Sequence, residues 1–258
     1  MWDFETDPEY QKKLDWVEQF MQDKLEPLDF APLDPYEKTN PQVLRVLRPL
    51  TRNRLTQALF NFPAGDWAKG DRGLAALPAR QDEFRASIPK ALEYAAATGV
   101  KLLHVMAGVA EPGDAKAEAA YRENLKLACA AAQPHGLAIL IEPINTRDVP
   151  GYFLRDFAQA AAIIAELGLP NLKLLFDIYH RQILHGDVIK GLETLLPVTG
   201  HVQTASVPGR NEPGTGELDD KRVFETLDRL GYGGVVGLEY RPKAGTIPGL
   251  AWMQAIKS

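Results

Sequence analysis

Short apolar runs alternate with helical stretches through most of this chain. From about Leu55 onward, a β-branched or leucine-rich run is followed by a polar loop and then by an alanine-rich stretch of helical spacing. Several runs are apolar at nearly every position, which is typical of strands covered on both faces of a parallel sheet. The pattern predicts strands over Thr56–Asn61, Lys101–Met106, Leu137–Glu142, Leu172–Asp177, His201–Ser206 and Val235–Glu239, and helices over Asp82–Thr98, Ala115–Gln133, Leu154–Leu167, Ile183–Leu196 and Asp219–Leu230.

This alternation predicts βαβ units and a parallel sheet. No GxGxxG motif follows the first predicted strand, so neither a dinucleotide-binding domain nor an NAD cofactor is expected. A barrel is the favoured architecture, with its functional residues at the carboxyl ends of the strands. Six strands are predicted where such a barrel has about eight. The expected fold class is therefore α/β, a (β/α) TIM-barrel-type domain that is incomplete, preceded by a helical N-terminal segment.

The first 54 residues follow a different pattern. Asp7 and Pro8 suit the N-cap and first position of a helix, which is predicted over Asp7–Glu26, and a second helical stretch is predicted over Gln42–Leu50. We therefore predict a helical segment foreign to the barrel at residues 1–54 and a barrel domain at residues 55–258. The first and last strands of an incomplete barrel are edges, and exposed edges favour self-association.

Composition narrows the range of partners. The net charge is −5 and the basic residues are scattered, which argues against binding to nucleic acid or to an anionic membrane. No apolar run approaches the ~20 residues of a membrane span, and no signal-peptide pattern is present, so a cytoplasmic protein is expected. The single cysteine, Cys129, excludes an internal disulfide framework and a cysteine-rich zinc site.

Polar side chains end four consecutive predicted strands, at Glu142, Asp177, Gln203 and Glu239. One acidic residue at a strand end is as often structural as functional, but four oxygen-bearing side chains in this position are costly to bury without a counter-charge. Carboxylate and amide oxygens suit a divalent metal, Mg²⁺ or Mn²⁺ before others, although zinc or cobalt is not excluded by ligand type.

A cation at these strand ends would polarise a carbonyl and a neighbouring hydroxyl together. A glutamate on either side could then move a proton between adjacent carbons. This combination suits the isomerisation of an α-hydroxycarbonyl compound or an epimerisation.

Four other polar residues are candidates for the same site. His180 is expected just above the metal, its alternative being an exposed loop residue. His104 lies on a strand and either points into the barrel mouth or is a satisfied core histidine. Arg210 and Glu212 lie in the loop Val207–Leu218. Arg210 either holds a substrate carboxylate by a two-pronged hydrogen bond or is a surface arginine.

Sequence motifs recur at the strand ends and in the long loops from about Leu55 to Trp252. In chain order they read Leu-Phe-Asn-Phe-Pro-Ala-Gly-Asp-Trp, Gly-Asp-Arg-Gly-Leu-Ala-Ala-Leu-Pro, His-Val-Met-Ala-Gly, Ile-Glu-Pro-Ile-Asn, Phe-Asp-Ile-Tyr-His, His-Val-Gln, Pro-Gly-Arg-Asn-Glu-Pro-Gly-Thr-Gly-Glu-Leu and Gly-Leu-Glu-Tyr-Arg-Pro. Together these motifs resemble the hydroxypyruvate isomerase family, within the xylose-isomerase-like TIM barrels.

The resemblance implies a reaction and a set of site residues. The reaction is the conversion of hydroxypyruvate to 2-hydroxy-3-oxopropanoate. Glu142 and Glu239 are the implied acid/base pair, and the implied metal ligands are Glu142, Asp177, Gln203 and Glu239. The candidate substrate-binding residues are His180, His104, Arg210, Glu212 and Asn61, the last from the first motif.

Two alternatives remain open beside this reading. The 2-oxo-tetronate isomerases share nearly all of the motifs, so such an enzyme, or a related sugar-acid isomerase or epimerase, is the first alternative. An inactive remnant that lacks the first two barrel units is the second alternative. The expected partner of the enzyme is a small 2-oxo or hydroxy acid as substrate, whereas the remnant would bind a metal or partners without turnover.

The front of the chain resembles a different family. Residues from Trp2 to about Leu50 are similar to the opening helical part of an acyl-CoA dehydrogenase. The flavin-binding and catalytic regions of that family have no counterpart in this sequence, so neither FAD nor dehydrogenase activity is expected.

Overall fold

The computed structural model of the protein describes residues 55–111 and 113–257. The predictions made for residues 1–54 lie outside the described residues. They are the foreign N-terminal segment, its helices over Asp7–Glu26 and Gln42–Leu50, and its similarity to the start of an acyl-CoA dehydrogenase. These remain predictions, as does the division of the chain at residue 55.

Within the described residues, the strands form one parallel sheet in which neighbours along the chain are neighbours in space. This is the strand order of a (β/α) barrel, and the six strands in the described part of the chain agree with the incomplete barrel that the sequence predicts. The strands are Leu59–Asn61 (β1), Leu102–His104 (β2), Ala138–Ile141 (β3), Leu172–Asp177 (β4), Thr199–Thr204 (β5) and Val236–Leu238 (β6).

Helices follow the strands, and four of them lie where the periodicity predicts. They are Gln81–Thr98 (α1), Ala115–Ala132 (α2), Phe157–Leu167 (α3), Ile178–Leu184 (α4), Val188–Leu195 (α5), Asp220–Arg229 (α6) and Trp252–Lys257 (α7). Asp114, Asp156 and Asp219 begin α2, α3 and α6, because each side chain accepts a hydrogen bond from a free backbone N–H of the first turn. No helix in the described part of the chain is long and apolar enough to cross a membrane.

One helix prediction was wrong. The single helix expected over Ile183–Leu196 is two helices, and the first of them begins directly after β4, where the side chain of Asp177 caps it. The chain turns between the two helices because Gly186 and Asp187 both have positive φ angles, of 60° and 43°. A left-handed backbone cannot continue an α-helix.

The hydrophobic core lies between the sheet and the helices. Strands β2 to β4 are buried on both faces, which accounts for their nearly continuous apolar sequences. Helices α1 to α3 face them with alanines and aromatic rings. The fully buried side chains include Leu103, Ile139, Ile141, Leu174 and Phe176 from the strands and Phe84, Tyr121, Leu125 and Phe157 from the helices.

The long loop between β1 and α1 is packed against the end of β2. Leu74, Ala75 and Ala76 in this loop are buried, and the N–H of Ala76 donates to the carbonyl of Ala107 at 2.7 Å. Gly73 forms an antiparallel bridge with Ala107. The loop therefore forms part of the wall above β2.

Gly73 is the position at which this packing is most sensitive to a side chain. Its φ is +118°, and an added Cβ would overlap the carbonyl of Met106. We expect Gly73→Ala to lower the free energy of unfolding by about 2–4 kcal/mol in urea denaturation. Gly99→Ala is the matched control, since Gly99 also has a positive φ, of +73°, but has open space around it. The control should cost about 1 kcal/mol, and equal losses in the two variants would contradict this account of the loop.

Candidate active site

The register of the sheet brings the four polar strand-end residues together. Asp177 and Gln203 are paired positions on β4 and β5. Glu239 follows β6 and its N–H donates to the carbonyl of Thr204 at 3.1 Å, while Glu142 directly follows β3. A Cβ at Gly237 would lie 3.0 Å from Cγ of Gln203. Glycine at this position of β6 therefore leaves room for the glutamine side chain.

Two histidines lie against these acidic residues. Nε2 of His180 is 3.8 Å from Oε1 of Glu142 and 3.7 Å from Oδ2 of Asp177, and Nε2 of His104 is 3.7 Å from Oε2 of Glu142. Glu142, Asp177 and His180 each offer a ligand atom, and these atoms lie within 4.8 Å of one another. Both predicted histidines are therefore at the site, and neither is an exposed loop residue.

Burial and mutual repulsion disturb the ionisation of the acidic residues. Burial, and then the charges of Asp177 and Glu239, raise the pKa of Glu142 well above its usual value. Burial raises the pKa of Asp177 to about 6, although the guanidinium of Arg210 opposes the shift. Partial burial and the charge of Asp177 also raise the pKa of Glu239, whose side chain is about half exposed (51%). Three carboxylates that resist ionisation in this way lack a sufficient counter-charge.

Burial acts in the opposite direction on the histidines. It lowers the pKa of His180 to about 4, with the charge of Arg210 adding to the effect, and it lowers the pKa of His104 to about 3. Both rings are thus neutral at pH 7. Nδ1 of His104 lies 3.0 Å from Oδ1 of Asn61, the residue opposite it in the register of β1 and β2. An amide oxygen accepts, so His104 carries its proton on Nδ1 and presents Nε2 to the site as an acceptor.

Arg210 provides positive charge inside the cluster. Its Nη2 is 2.9 Å from Oε2 of Glu239, its Nη1 is 3.4 Å from Oδ2 of Asp148, and its guanidinium carbon lies 4.9 Å from the centre of the Tyr179 ring. Burial opposes the charge, but the surrounding carboxylates raise the pKa of Arg210. Its backbone φ of 53° is in the left-handed region, which non-glycine residues seldom adopt.

Glu212 has a different environment from the other predicted residues. Its Oε1 accepts a hydrogen bond from the N–H of Lys243 at 2.8 Å, and a Cβ added at Gly249 would lie 2.8 Å from the same oxygen. The side chain is buried. Through these contacts Glu212 holds the segment that follows β6 in place.

Three residues at the site were not singled out from the sequence. They are Asn145, Asp148 and Tyr179. Asn145 and Tyr179 lie within the motifs Ile-Glu-Pro-Ile-Asn and Phe-Asp-Ile-Tyr-His, which could have identified them. Asp148 is a single acidic residue in a loop, and no sequence pattern distinguishes it. In the structure, the Tyr179 hydroxyl donates to Oδ1 of Asp148 at 3.3 Å.

The donor set fits a divalent cation. Oε1 of Glu142 and Oε1 of Gln203 are buried, and neither has a hydrogen-bond partner among the residues that the structure describes. Buried polar atoms are nearly always satisfied, so two unsatisfied oxygens beside two further carboxylates form a donor set that a cation would fit. Oxygen donors of this kind suit Mg²⁺ or Mn²⁺.

The raised pKa of Asp177 leads to a pH-dependent prediction for the metal-free protein. Because the folded-state pKa of about 6 lies above the model-compound value of 3.8, the folded carboxyl binds its proton more tightly than the unfolded one. Asp177 therefore lowers the free energy of unfolding, and this loss grows as the pH rises from about 4 to about 6. Asn preserves the helix cap but carries no charge. We expect Asp177→Asn to raise the free energy of unfolding by about 2–3 kcal/mol at pH 8 in EDTA, and by little at pH 4.

The control for this prediction is Asp156→Asn, which changes the N-cap of α3, where the side chain is 43% exposed. The free energy of unfolding of both variants is measured by urea denaturation at pH 4 and at pH 8. An effect of Asp177→Asn that is equal at pH 4 and pH 8 would show that the buried charge is not its cause.

Sequence and structure comparisons relate the chain to known proteins. The family described as xylose isomerase-like TIM barrel matches residues 12–256. The chain is 52% identical over 207 residues to the 2-oxo-tetronate isomerase of Cupriavidus necator, with 80% of each chain covered. It is 39% identical to the hydroxypyruvate isomerase of Escherichia coli strain K12, covering 79% of this chain and 80% of that protein.

A solved structure from Brucella melitensis, described as an AP endonuclease of family 2, is also similar. It is 41% identical and superposes with a TM-score of 0.80, covering 87% of this chain and 85% of its own. Fold, strand order and sequence relatives therefore agree. The chain belongs to the xylose isomerase-like TIM barrel family, and it is an isomerase of the group that includes hydroxypyruvate isomerase and 2-oxo-tetronate isomerase.

Proposed function

We propose that this isomerase depends on a divalent metal and interconverts hydroxypyruvate and 2-hydroxy-3-oxopropanoate. The observation that carries the proposal is the group of oxygen donors at the ends of β3 to β6, two of which are buried and have no hydrogen-bond partner in the described part of the chain. Glu142, Asp177, Gln203 and Glu239 would hold the cation, Mg²⁺ or Mn²⁺. When bound, it supplies positive charge that polarises the carbonyl and the adjacent hydroxyl of the substrate.

The two compounds differ by the position of hydrogen on adjacent carbons. In the forward direction, a base removes a proton from the hydroxymethyl carbon of hydroxypyruvate and the ketone oxygen gains a proton, which gives an enediol. A proton is then returned to the neighbouring carbon, and a hydroxyl proton leaves the first oxygen, so that an aldehyde forms. No external oxidant or reductant is needed. The protein must therefore provide an acid/base group on each side of the reacting carbons.

Glu142 and Glu239 are the groups we assign to the proton transfers. Both carboxyls lie at strand ends beside the proposed cation, whose charge would keep them ionised and able to accept a proton. One of them removes the proton beside the carbonyl and the other handles its return. His180 and His104 face Glu142 with their Nε2 atoms and would contact the substrate oxygens.

Arg210 is the residue we assign to the substrate carboxylate. Its guanidinium already accommodates a carboxylate, that of Glu239, at 2.9 Å. The planar group also contacts Asp148, and it could bind the substrate carboxylate with two parallel hydrogen bonds if one of these contacts is given up. In this proposal the substrate carboxylate replaces the carboxylate of Glu239 on Arg210, which leaves Glu239 free for proton transfer.

A 2-oxo-tetronate is the second candidate substrate. The 52% identity to the Cupriavidus necator enzyme favours it over more distant sugars. The proton transfer is the same, and only the group beyond the reacting carbons is longer. An inactive chain is the remaining alternative, because the units that open a full barrel were not recognised before Leu55.

A turnover assay separates these alternatives. Purified full-length protein is treated with EDTA, then assayed with hydroxypyruvate and with four-carbon 2-oxo acids, before and after addition of Mg²⁺ or Mn²⁺. We expect turnover of hydroxypyruvate that is lost in EDTA and restored by the metal. Faster turnover of a 2-oxo-tetronate would reassign the substrate. Turnover that is indifferent to EDTA would contradict the metal-dependent mechanism, and no turnover of any compound would identify an inactive chain.

Substitution of the two glutamates tests the acid/base roles. Glu142→Gln and Glu239→Gln keep the shape of each side chain but remove the base. Each variant should lose ~10²-fold or more in kcat. Glu118→Gln, on an exposed ion pair of α2, is the matched control and should leave kcat unchanged. Near-normal turnover in both active-site variants would refute the assignment.

A further inference from the structure

The turn at residues 145–149, which follows Glu142, holds the side-chain amide of Asn145 in a fixed orientation. Asn145 opens this turn. Its backbone carbonyl accepts from the N–H of Val149 at 3.1 Å, and its side-chain Oδ1 accepts from the N–H of Asp148 at 2.9 Å. A backbone N–H can only donate, so the amide oxygen faces Asp148 and Nδ2 is the end available to other partners.

His180 receives both N–H groups of this asparagine on one ring nitrogen. The backbone nitrogen of Asn145 lies 3.2 Å from Nδ1, and the side-chain Nδ2 lies 2.7 Å from the same atom. Since both partners are donors, Nδ1 is the unprotonated nitrogen. An imidazole with an unprotonated Nδ1 is neutral and carries its proton on Nε2. Nε2 is the atom that faces Glu142 and Asp177.

We propose that Asn145 is a positioning residue, which fixes His180 in the tautomer with its proton on Nε2. His180 then donates a hydrogen bond to a substrate oxygen lying between Glu142 and Asp177, and it does not ligate the cation. A protonated nitrogen has no lone pair to offer a metal. Gln203 is then the uncharged member of an all-oxygen ligand set. This inference rests on the proposed function and adds a residue to it.

Burial strengthens the case that these hydrogen bonds control the tautomer. Asn145 is fully buried and His180 is 2% exposed, so water does not compete for Nδ1. A donor held on the substrate oxygen matters most when charge develops there during proton removal. A loss of this donor should therefore lower kcat more than it raises KM.

The same turn also holds the arginine on the other side of the site. Oδ2 of Asp148 accepts from Nδ2 of Asn145 at 3.3 Å and from Nη1 of Arg210 at 3.4 Å, while Oδ1 accepts from the hydroxyl of Tyr179. One short turn thus connects His180, the proposed hydrogen-bond donor to the substrate, with Arg210, the group assigned to the substrate carboxylate. The position of Asn145 is consequently coupled to both ends of the bound substrate.

The test reads the tautomer directly by NMR of protein labelled with nitrogen-15 at histidine, both metal-free and with Mg²⁺. The signals of His180 are assigned by their loss in His180→Gln. In the unsubstituted protein we expect an unprotonated Nδ1 and a protonated Nε2. In Asn145→Asp a carboxylate oxygen replaces the amide donor, so a proton should appear on Nδ1, and kcat should fall by ~10²-fold or more, as expected for a wrong histidine tautomer.

Two further variants separate positioning from general destabilisation. Asn145→Ala keeps the backbone donor, so it should retain the tautomer and lose about tenfold in kcat. It also provides a readout if Asn145→Asp does not fold. Asn171→Asp is the matched control, because Asn171 precedes β4 and donates to the carbonyls of Cys129 and Leu137. This variant should lower the melting temperature and leave the signals of His180 unchanged.

The outcomes distinguish this inference from the proposed function. A proton on Nδ1 in the unsubstituted protein would overturn the inference, as would an Asn145→Asp variant with an unaltered tautomer. The NMR signature needs no substrate. A protein that shows the Nε2–H tautomer and its loss in Asn145→Asp, but turns over no 2-oxo acid, would support the positioning role of Asn145 and contradict the proposed function.

Discussion

Carboxylates at the ends of adjacent parallel strands repel one another. The need to balance this negative charge determines how the rest of the site is arranged. A parallel sheet brings the ends of β3, β4, β5 and β6 to one edge, and the sequence places an oxygen-bearing side chain at each of them. Burial then raises the pKa of Glu142, Asp177 and Glu239, because the charged forms lose their hydration. A buried cluster of carboxylates needs nearby positive charge, and Arg210 supplies part of that charge here.

The rest of the site compensates for this unfavourable charge or makes use of it. The side chain of Asp177 accepts hydrogen bonds from the first N–H groups of α4, so one residue both caps a helix and joins the acidic cluster. The neutral histidines contact the carboxylates without adding charge. The proposed cation would hold Glu142 and Glu239 ionised, so that the arrangement that is electrostatically costly without it could accept a proton from carbon with it.

The sequence predicted the parts of the fold that have a strong periodic signal. Strand β4 matches its predicted range, and the four polar strand-end residues come together because register and strand order follow from parallel βαβ topology. The split between α4 and α5 was missed because it depends on the positive φ of a non-glycine residue, Asp187, which composition does not reveal. The buried contacts of Glu212, and the role of Asn145, depend on which atoms meet across loops, and no periodicity encodes that.

Diffraction from crystals of this chain grown with Mn²⁺, measured at the manganese absorption edge, would locate the proposed cation. We expect one anomalous peak at the strand ends, within bonding distance of side-chain oxygens of Glu142, Asp177, Gln203 and Glu239. Nε2 of His180 should lie outside the ligand sphere. A peak ligated by His180 in place of Gln203, or the absence of any peak beside Glu142 and Asp177, would contradict the proposed metal site.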